Sequence, residues 1–340
     1  MIASTSSASS STQHGVPGTV RTAAYVSLGV ALLHIVFGAI VRISGSGMGC
    51  GVDWPTCQGY WIPPYFTRVD LAVELTHRYL AIALFASIAW LALSAWRQRD
   101  SSGVRGDGGV LNTAYLAVGL WFAPALFGAV TVFTGNPAWA TVVHKLLAAS
   151  LIAVLVIAAV RAGGLGSSAM RADSGTDKAV VGATAAAILA LLVILLGGLT
   201  AKIPGAAAAC AGFPLCGVGS TGGGAQHVQL THRILAYLLV LHVISLPFDY
   251  RKRGEPPAVL RVAWMAMMLG VLQIAWAGWM VTGGFPSVVR SLHQATGILL
   301  WVTCVTLAYL ARIASGRTVI ASQRLHAVSP NVPSPSPQQS

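Results

Sequence analysis

The sequence predicts an all-α membrane protein in which eight transmembrane helices form two tandem four-helix bundles. Three observations support this fold class: a low content of charged residues, a series of long apolar segments, and an internal repeat. Charged residues make up 9% of the 340 positions, and the mean hydropathy is +0.71. Because a soluble domain carries about 25% charged residues, this composition argues against a soluble protein.

The apolar segments number eight, and each is long enough to cross a bilayer, which takes about 20 residues. Backbone N–H and C=O groups in lipid must be satisfied within their own segment, so each segment is expected to be helical. The predicted spans are residues 22–43, 72–96, 110–133, 138–161, 178–201, 228–248, 258–281 and 289–313.

The formal net charge of +12 does not indicate a nucleic-acid partner, because most of the positive charges lie in alternate connections between the predicted helices. This distribution is typical of loops on the cytoplasmic side of a membrane. It predicts that both termini are cytoplasmic and that the loops around residues 44–71 and 202–227 lie outside. No arginine-rich transit segment is evident, which favours a bacterial inner membrane. Residues 1–20 and 316–340, rich in Ser, Thr or Pro, are expected to be disordered tails.

The internal repeat relates the two halves of the chain, with a spacing that decreases steadily as small loop deletions would produce. The matched pairs are Gly38 with Gly198, Arg42 with Lys202, Gly45 with Gly205, Cys50 with Cys210, Cys57 with Cys216, His77 with His232, and His144 with His293. Each repeat unit crosses the membrane four times, so both copies have the same orientation. This predicts a pseudo-two-fold axis along the membrane normal, between bundles formed by residues 21–165 and 166–315.

Four histidines recur in the repeat, and each lies shortly after the outer start of an even-numbered helix. They are His77, His144, His232 and His293. Their positions predict a common depth of roughly 10 Å below the outer rim, at about 1.5 Å per helical residue. Two imidazoles on different helices at one depth can ligate a haem iron from both faces. The other intramembrane histidines, His34, His227 and His242, have no repeat partner, which favours a role as a hydrogen-bonded core residue or as an interhelical contact.

Glu74 lies one helical turn before His77, on the same face of its helix, and the corresponding residue of the second half is Gln229. The first half therefore has an ionisable group suited to proton chemistry or to stabilising a cation, whereas the second half is suited to holding a cofactor. The alternative is that Glu74 caps the first turn of its helix.

Basic residues near the histidines are predicted to pair with the carboxylates of a haem. They are Arg42, Arg78, Lys145, Lys202 and Arg233.

The cysteines form two pairs in predicted outer loops, Cys50 with Cys57 and Cys210 with Cys216. Disulfides are expected there because the outer face of the membrane is oxidising. A redox-active pair remains an alternative. A four-cysteine zinc site is disfavoured because the pairs belong to different repeat units, and Cys304 is expected to be an inert core residue.

These motifs resemble the haem A synthase family over roughly residues 22–313. The resemblance rests on Arg42-Ile43-Ser44-Gly45-Ser46-Gly47, Asp53-Trp54-Pro55 between Cys50 and Cys57, Glu74-Leu75-Thr76-His77-Arg78, His144-Lys145, His232 and His293. It implies an oxidoreductase that converts a ring methyl of haem O to a formyl group, giving haem A for cytochrome oxidase. It also implies that the first half holds the substrate haem, that the second half holds haem b, and that Glu74 takes part in catalysis.

Further expectations follow from the resemblance. One substrate-side histidine is expected to move or weaken during turnover, because a six-coordinate iron has no position for oxygen. The implied partners are haem O synthase and cytochrome oxidase assembly proteins. Two alternatives share parts of the pattern: a dihaem cytochrome b-like quinol-oxidising electron carrier, and a cofactor-free repeat transporter or assembly scaffold.

Overall fold

The structure is a computed structural model that describes residues 15–63 and 68–318. Within these residues the chain forms eight long α-helices and two short 3₁₀ turns, Ser167–Ala169 and Ala206–Ala208. The helices are α1 (Gly18–Ile43), α2 (Val69–Arg97), α3 (Val110–Phe133), α4 (Ala138–Arg161), α5 (Asp177–Lys202), α6 (Gly223–Arg253), α7 (Pro257–Thr282) and α8 (Ser287–Ala314).

All eight helices are long and apolar enough to cross a membrane, which confirms the predicted all-α membrane fold and each of the predicted spans. The protein is therefore a multi-pass membrane protein. The largest difference from the prediction is in α6, which has 31 residues and extends past the predicted 228–248 at both ends. Its last turn contains Arg251, Lys252 and Arg253, polar residues that an apolar pattern does not reveal.

The predicted disordered tails lie mostly outside the described residues. Inside the described part, Gly18–Val20 already belong to α1, and residues 316–318 follow the end of α8.

The helices of each half pack in a closed ring. In the first half α1 contacts α2, α2 contacts α3, α3 contacts α4, and α4 returns to α1; α5 to α8 pack in the same way. The halves meet where α1 contacts α8, where α4 contacts α5, and where α4 contacts α8. The packing of the two halves is therefore alike, and the axis along the membrane normal stays a prediction.

Helices α4 and α8 lie at the centre of the molecule. The buried share of the most apolar stretch is 67% in α8 and 44% in α4, whereas it is 33% or less in each of the other six helices. Small residues such as Ala149, Ala158 and Ala159 on α4 are completely buried and allow close helix packing, as is typical of membrane proteins. The two most central helices carry His144 and His293, so both histidines are held by the best-packed part of the fold.

On the side of the fold opposite the histidines, the connection before α5 is fixed by a buried carboxylate. Glu255, which follows α6, accepts hydrogen bonds from the Thr176 hydroxyl at 2.5 Å and from the Thr176 backbone N–H at 3.2 Å. Thr176 in turn caps α5, because its hydroxyl oxygen accepts a hydrogen bond from the Ala179 N–H at 3.3 Å. This glutamate is therefore used in packing the second half.

Candidate functional site

Each half of the protein encloses a cavity lined by its two repeated histidines. The first cavity, of about 410 Å³, is lined by His77 and His144 together with Glu74. The second cavity, of about 440 Å³, is lined by His232 and His293. The structure thus brings the predicted histidine pairs together, one pair in each half.

Glycines on neighbouring helices make room for three of the imidazole rings. A Cβ atom added at Gly38 would lie 3.0 Å from Cε1 of His77, and one added at Gly197 would lie 3.0 Å from Cε1 of His232. At Gly128 the added Cβ would lie 3.5 Å from Cε1 of His144. The rings therefore pack directly on the backbone of an adjacent helix.

The contact of Gly197 corrects the predicted alignment of the repeat. The sequence pairs Gly38 with Gly198, but an added Cβ at Gly198 would lie 3.4 Å from Nζ of Lys145 rather than against a histidine. By its contact with the histidine ring, Gly197 corresponds to Gly38. Two adjacent glycines are interchangeable in a sequence comparison, whereas on a helix they point about 100° apart.

Backbone carbonyls fix one histidine in each cavity. Nδ1 of His144 donates to the Pro124 carbonyl at 2.8 Å, and Nδ1 of His232 donates to the Val193 carbonyl at 3.1 Å. This tautomer leaves the lone pair on Nε2, as metal ligation through Nε2 requires. Nδ1 of His77 and Nδ1 of His293 are buried without a hydrogen-bond partner in the described residues.

Glu74 connects α2 to the first outer loop. Its carboxylate is buried, accepts a hydrogen bond from the Cys50 N–H at 2.9 Å, and forms an ion pair with Arg78 at 2.6 Å. Arg78 also donates to the carbonyls of Asp53 and Thr56 at 2.8 and 2.5 Å. The alternative that Glu74 caps the first turn of α2 is wrong, because its oxygens bind the loop and Arg78 instead.

The second half repeats this arrangement with an amide. Gln229 is buried, and its Oε1 accepts a hydrogen bond from the Cys210 N–H at 2.5 Å while its Nε2 donates to the Ala207 carbonyl at 2.8 Å. Arg233 donates to the carbonyls of Gly212 and Cys210 at 2.9 and 3.3 Å. A neutral side chain therefore fixes the second outer loop in the way that the carboxylate fixes the first.

Both outer loops are closed by the predicted disulfides, which are confirmed. Cys50 bonds to Cys57, and Cys210 bonds to Cys216. The first pair is buried against Leu71 and Leu75 of α2. Cys304 is a buried free thiol in the core of α8, as expected.

A group of cations lies between the two cavities. Arg42 and Lys145, from the first half, line both cavities, and Gln294, from the second half, does so too. Lys202 lines the first cavity and Arg290 the second. We call Arg42, Lys145, Lys202 and Arg290 the central cations.

The central cations form no ion pair with an acidic residue in the described part of the chain. Arg42 donates to Oε1 of Gln294 at 2.7 Å, and Lys202 donates to the Asn136 carbonyl at 3.0 Å; both contacts join the two halves. Positive charge in the interior of a membrane protein is costly without an anion. These side chains therefore favour a ligand that carries carboxylates. Arg290 and Gln294 are not predicted from the sequence, although Gln294 follows His293 as Lys145 follows His144.

The remaining intramembrane histidines differ in environment. His242 donates through Nε2 to the Gly182 carbonyl at 2.8 Å, which confirms the expected interhelical hydrogen bond. His227 is exposed near the start of α6, so the expectation of a packed role there is wrong. His34 makes the expected interhelical contact, because its ring stacks on the His77 ring of α2. It also lines the first cavity, and its buried Nε2 has no hydrogen-bond partner in the described residues.

Comparison with known proteins gives a family for this architecture. The COX15-CtaA family, described as cytochrome oxidase assembly protein, matches residues 21–72, 65–156 and 149–305. The chain belongs to this family. The matched ranges contain both cavities and all four repeated histidines.

The chain is also similar to several bacterial proteins named heme A synthase. It is 31% identical over 265 residues to that of Shouchella clausii, covering 76% of this chain and 85% of the relative. It is 27% identical to that of Geobacillus kaustophilus, over 83% of this chain and 87% of the relative. It is 28% identical to that of Symbiobacterium thermophilum, over 89% of this chain and 99% of the relative.

Each cavity fits a haem in three respects. Two imidazoles line the cavity, as axial ligation of an iron requires. Apolar side chains such as Ile35, Leu151 and Ile298 form much of the wall and suit a macrocycle. The central cations suit the haem carboxylates.

Proposed function

We propose that this protein is a haem A synthase, which oxidises a ring methyl of haem O to a formyl group. The observation that carries the proposal is a difference between two otherwise matched cavities. Both have a histidine pair, but Glu74 lines the first, and no acidic residue lines the second in the described part of the chain. The similarity to proteins named heme A synthase supports the same reaction.

The first cavity is the proposed site of the substrate haem, with His77 and His144 as ligands. Gln229 shows that a neutral amide is enough to fix an outer loop, so fixing the loop does not explain why position 74 carries a carboxylate. When bound, the substrate haem and its electron-carrying partner supply the oxidative chemistry. Oxidation of the methyl group releases protons, and the Glu74 carboxylate is placed to accept one at the cavity wall.

The second cavity is the proposed site of a resident haem b, with His232 and His293 as ligands. Its outer wall contains the amide of Gln229, which cannot take up a proton near neutral pH. This environment suits a haem that accepts and passes electrons without a change in its own substituents.

The haem carboxylates are proposed to bind the central cations. Arg42 and Lys145 of the first half line both cavities, while Lys202 of the second half lines the first cavity and Arg290 the second. Each haem would therefore contact cations from both halves. Arg78 and Arg233, which the sequence also predicts as carboxylate ligands, already bind loop carbonyls. Their proposed contribution is positive charge at the outer wall of each cavity and a fixed loop above it.

The proposed location is the inner membrane of a bacterium, with both termini in the cytoplasm. The concentration of positive charge at the inner ends of the helices supports this orientation. The bundles of residues 21–165 and 166–315 are the proposed substrate and haem b units. Haem O synthase and cytochrome oxidase assembly proteins are the proposed partners.

The proposed function is tested by expressing the full chain in cells that supply haem O and identifying the extracted haems by mass. We expect haem A from the wild-type chain. Haem O accumulating without haem A contradicts the proposal, and a purified protein without Soret absorption favours the cofactor-free scaffold.

The matched variant Glu74→Gln places at position 74 the amide that the second half has at the equivalent position, Gln229. We expect the outer loop to stay fixed and the haem content to be retained, because Gln229 makes the same contact with its loop. Production of haem A should fall by about 10²-fold or more, in the range typical for loss of a general base. Full activity of this variant favours the dihaem electron carrier. Asp70→Asn is the control, because Asp70 is an exposed carboxylate in the first turn of the same helix and lines neither cavity; it should leave haem A production unchanged.

A further inference from the structure

We propose that His34 positions the imidazole of His77 by ring stacking. The corresponding histidine of the second half, His232, is positioned instead by a hydrogen bond to a backbone carbonyl. His77 is then the more weakly held histidine of the first cavity. This inference rests on the proposed function, in that His77 is taken as a haem ligand. It concerns a residue that the repeat gives no reason to select, since the second half has no histidine at the corresponding place.

Two of the four repeated histidines are held by the same device on a neighbouring helix. A carbonyl accepts the Nδ1 proton, and a glycine four residues later makes room for the ring. For His232 the pair is Val193 and Gly197, and for His144 it is Pro124 and Gly128. A carbonyl and a residue four positions later lie one turn apart on the same helix face, so together they fix both the hydrogen bond and the packing of the ring.

At His77 the glycine is present, but the hydrogen bond from Nδ1 to a backbone carbonyl is replaced by another contact. Gly38 makes room for the ring, and the residue four positions earlier is His34. Nδ1 of His77 is buried without a hydrogen-bond partner in the described residues, so the carbonyl contact is missing. The ring of His34 instead stacks on that of His77, with centroids 4.3 Å apart and planes inclined by 20°.

The replacement changes how firmly the histidine is held. A hydrogen bond to the distal ring nitrogen fixes the tautomer and orientation of a ligating histidine and raises its basicity. His144 has this bond and His77 does not, so His77 is the weaker ligand of the two. Stacking restrains the plane of the ring but provides no hydrogen bond to Nδ1. The geometry therefore points to His77 as the histidine that gives way when a coordination position must open.

The second cavity provides an internal comparison. His293 also has a buried Nδ1 without a partner, but no aromatic contact holds its ring in the described structure, and its backbone carbonyl accepts a hydrogen bond from Gln273 at 2.9 Å. The stacked third ring is thus a feature of the cavity that contains Glu74.

The test uses the full-length protein purified from cells that supply haem O. His34→Phe keeps a flat ring and removes the nitrogens, whereas His34→Leu keeps bulk and removes the stack. Leu33→Ala is the control on the same helix, because Leu33 adjoins His34 but is exposed and lines neither cavity. The readouts are the ferric spin state by electron paramagnetic resonance and the rate of carbon monoxide binding to the ferrous haems. His77→Ala identifies the signals of the first cavity.

We expect His34→Leu to increase the high-spin fraction of the first haem and to raise its carbon monoxide binding rate by about 10-fold, the lower end of effects for lost outer-shell support of a metal ligand. His34→Phe should remain close to the wild type. Leu33→Ala should leave both haems unchanged, and the second haem serves in every variant as the measure of an intact fold.

The inference is overturned if His34→Leu leaves the first haem unchanged. It is also overturned if His34→Phe behaves like His34→Leu, because the nitrogens rather than the stack then matter, or if the second haem changes equally. A wild-type protein that binds no haem in the first cavity would instead contradict the proposed function, and the inference with it.

Discussion

Glu74 and Gln229 make the same contact with the first cysteine N–H of their outer loops, yet one side chain ionises and the other does not. His34 and Val193 likewise occupy corresponding positions and differ in how they hold the facing histidine. Single substitutions within a duplicated framework thus distinguish the two cavities. Both differences place additional chemical groups in the first cavity, which agrees with its proposed role in the reaction.

At the residue scale, the space beside the imidazoles gives a direct prediction. Gly38→Ala should displace the His77 ring, because the added Cβ would lie 3.0 Å from its Cε1, closer than an ordinary van der Waals contact. We expect the affinity of the first cavity for haem to fall by about 10-fold, as for lost support of a metal ligand. The measurement is the haem content of the first cavity by pyridine haemochrome and mass analysis.

Gly128→Ala is the control for this prediction. Its added Cβ would lie 3.5 Å from Cε1 of His144, an ordinary contact, so haem content should stay near that of the wild type. Equal haem loss in the two variants would show that general disturbance of helix packing, rather than the position of the ring, determines the result.

At the scale of helices, α4 and α8 each present two adjacent residues to different cavities. Consecutive residues on a helix point about 100° apart, so a histidine that faces its own cavity is followed by a side chain directed towards the other half. His144 is followed by Lys145, and His293 by Gln294, and both following residues line both cavities. The central position of these helices makes each cavity dependent on the other half.

This arrangement predicts an effect across the halves. Lys145→Gln removes a positive charge that lines the second cavity, although Lys145 lies next to a histidine of the first. A nearby positive charge favours the reduced form of a haem, so its removal should lower the reduction potential of the second haem. We expect a decrease on the order of 50 mV for one charge near 10 Å in a medium of intermediate dielectric constant. The measurement is a spectroelectrochemical titration of the purified protein.

Lys252→Gln is the matched control, because Lys252 is an exposed lysine in the last turn of α6 and lines neither cavity. Its potentials should equal those of the wild type. A second haem whose potential is unaffected by Lys145→Gln would mean that the two halves function as independent units.

The sequence predicts the helices and disulfides well because hydropathy, cysteine pairing and repetition are properties of residue types. It also selects the four histidines, since all of them recur. It does not identify His34, because the corresponding Val193 acts through its backbone carbonyl and leaves no mark in the pattern of side chains. The choice of Gly197 over Gly198, and the contact of Arg42 with Gln294, depend on the rotation and packing of helices and become visible only in three dimensions.

At the scale of the whole molecule, the two ends of the helix bundle differ, and the proposed orientation assigns each end to one side of the membrane. Each of the four repeated histidines lies near the start of its helix. These helix starts follow either a disulfide-closed loop, as in α2 and α6, or a short connection, as in α4 and α8. Buried polar side chains fix the two disulfide-closed loops to α2 and α6. Positive side chains are concentrated at the opposite end, as in the last turn of α6. An oxidising exterior for the disulfides and a cytoplasmic side for the cations require the same orientation.

This orientation is testable by single-cysteine labelling of intact cells. Val218 lies in the second outer loop and is fully exposed, so Val218→Cys should react with a membrane-impermeant maleimide applied from outside. Lys252→Cys, at the inner end of α6, should react only after the membrane is permeabilised. The wild-type chain is a suitable background because its remaining thiol, Cys304, is buried and its other four cysteines are in disulfides. Labelling of Lys252→Cys but not Val218→Cys in intact cells would reverse the proposed topology and place both cavities near the cytoplasmic face.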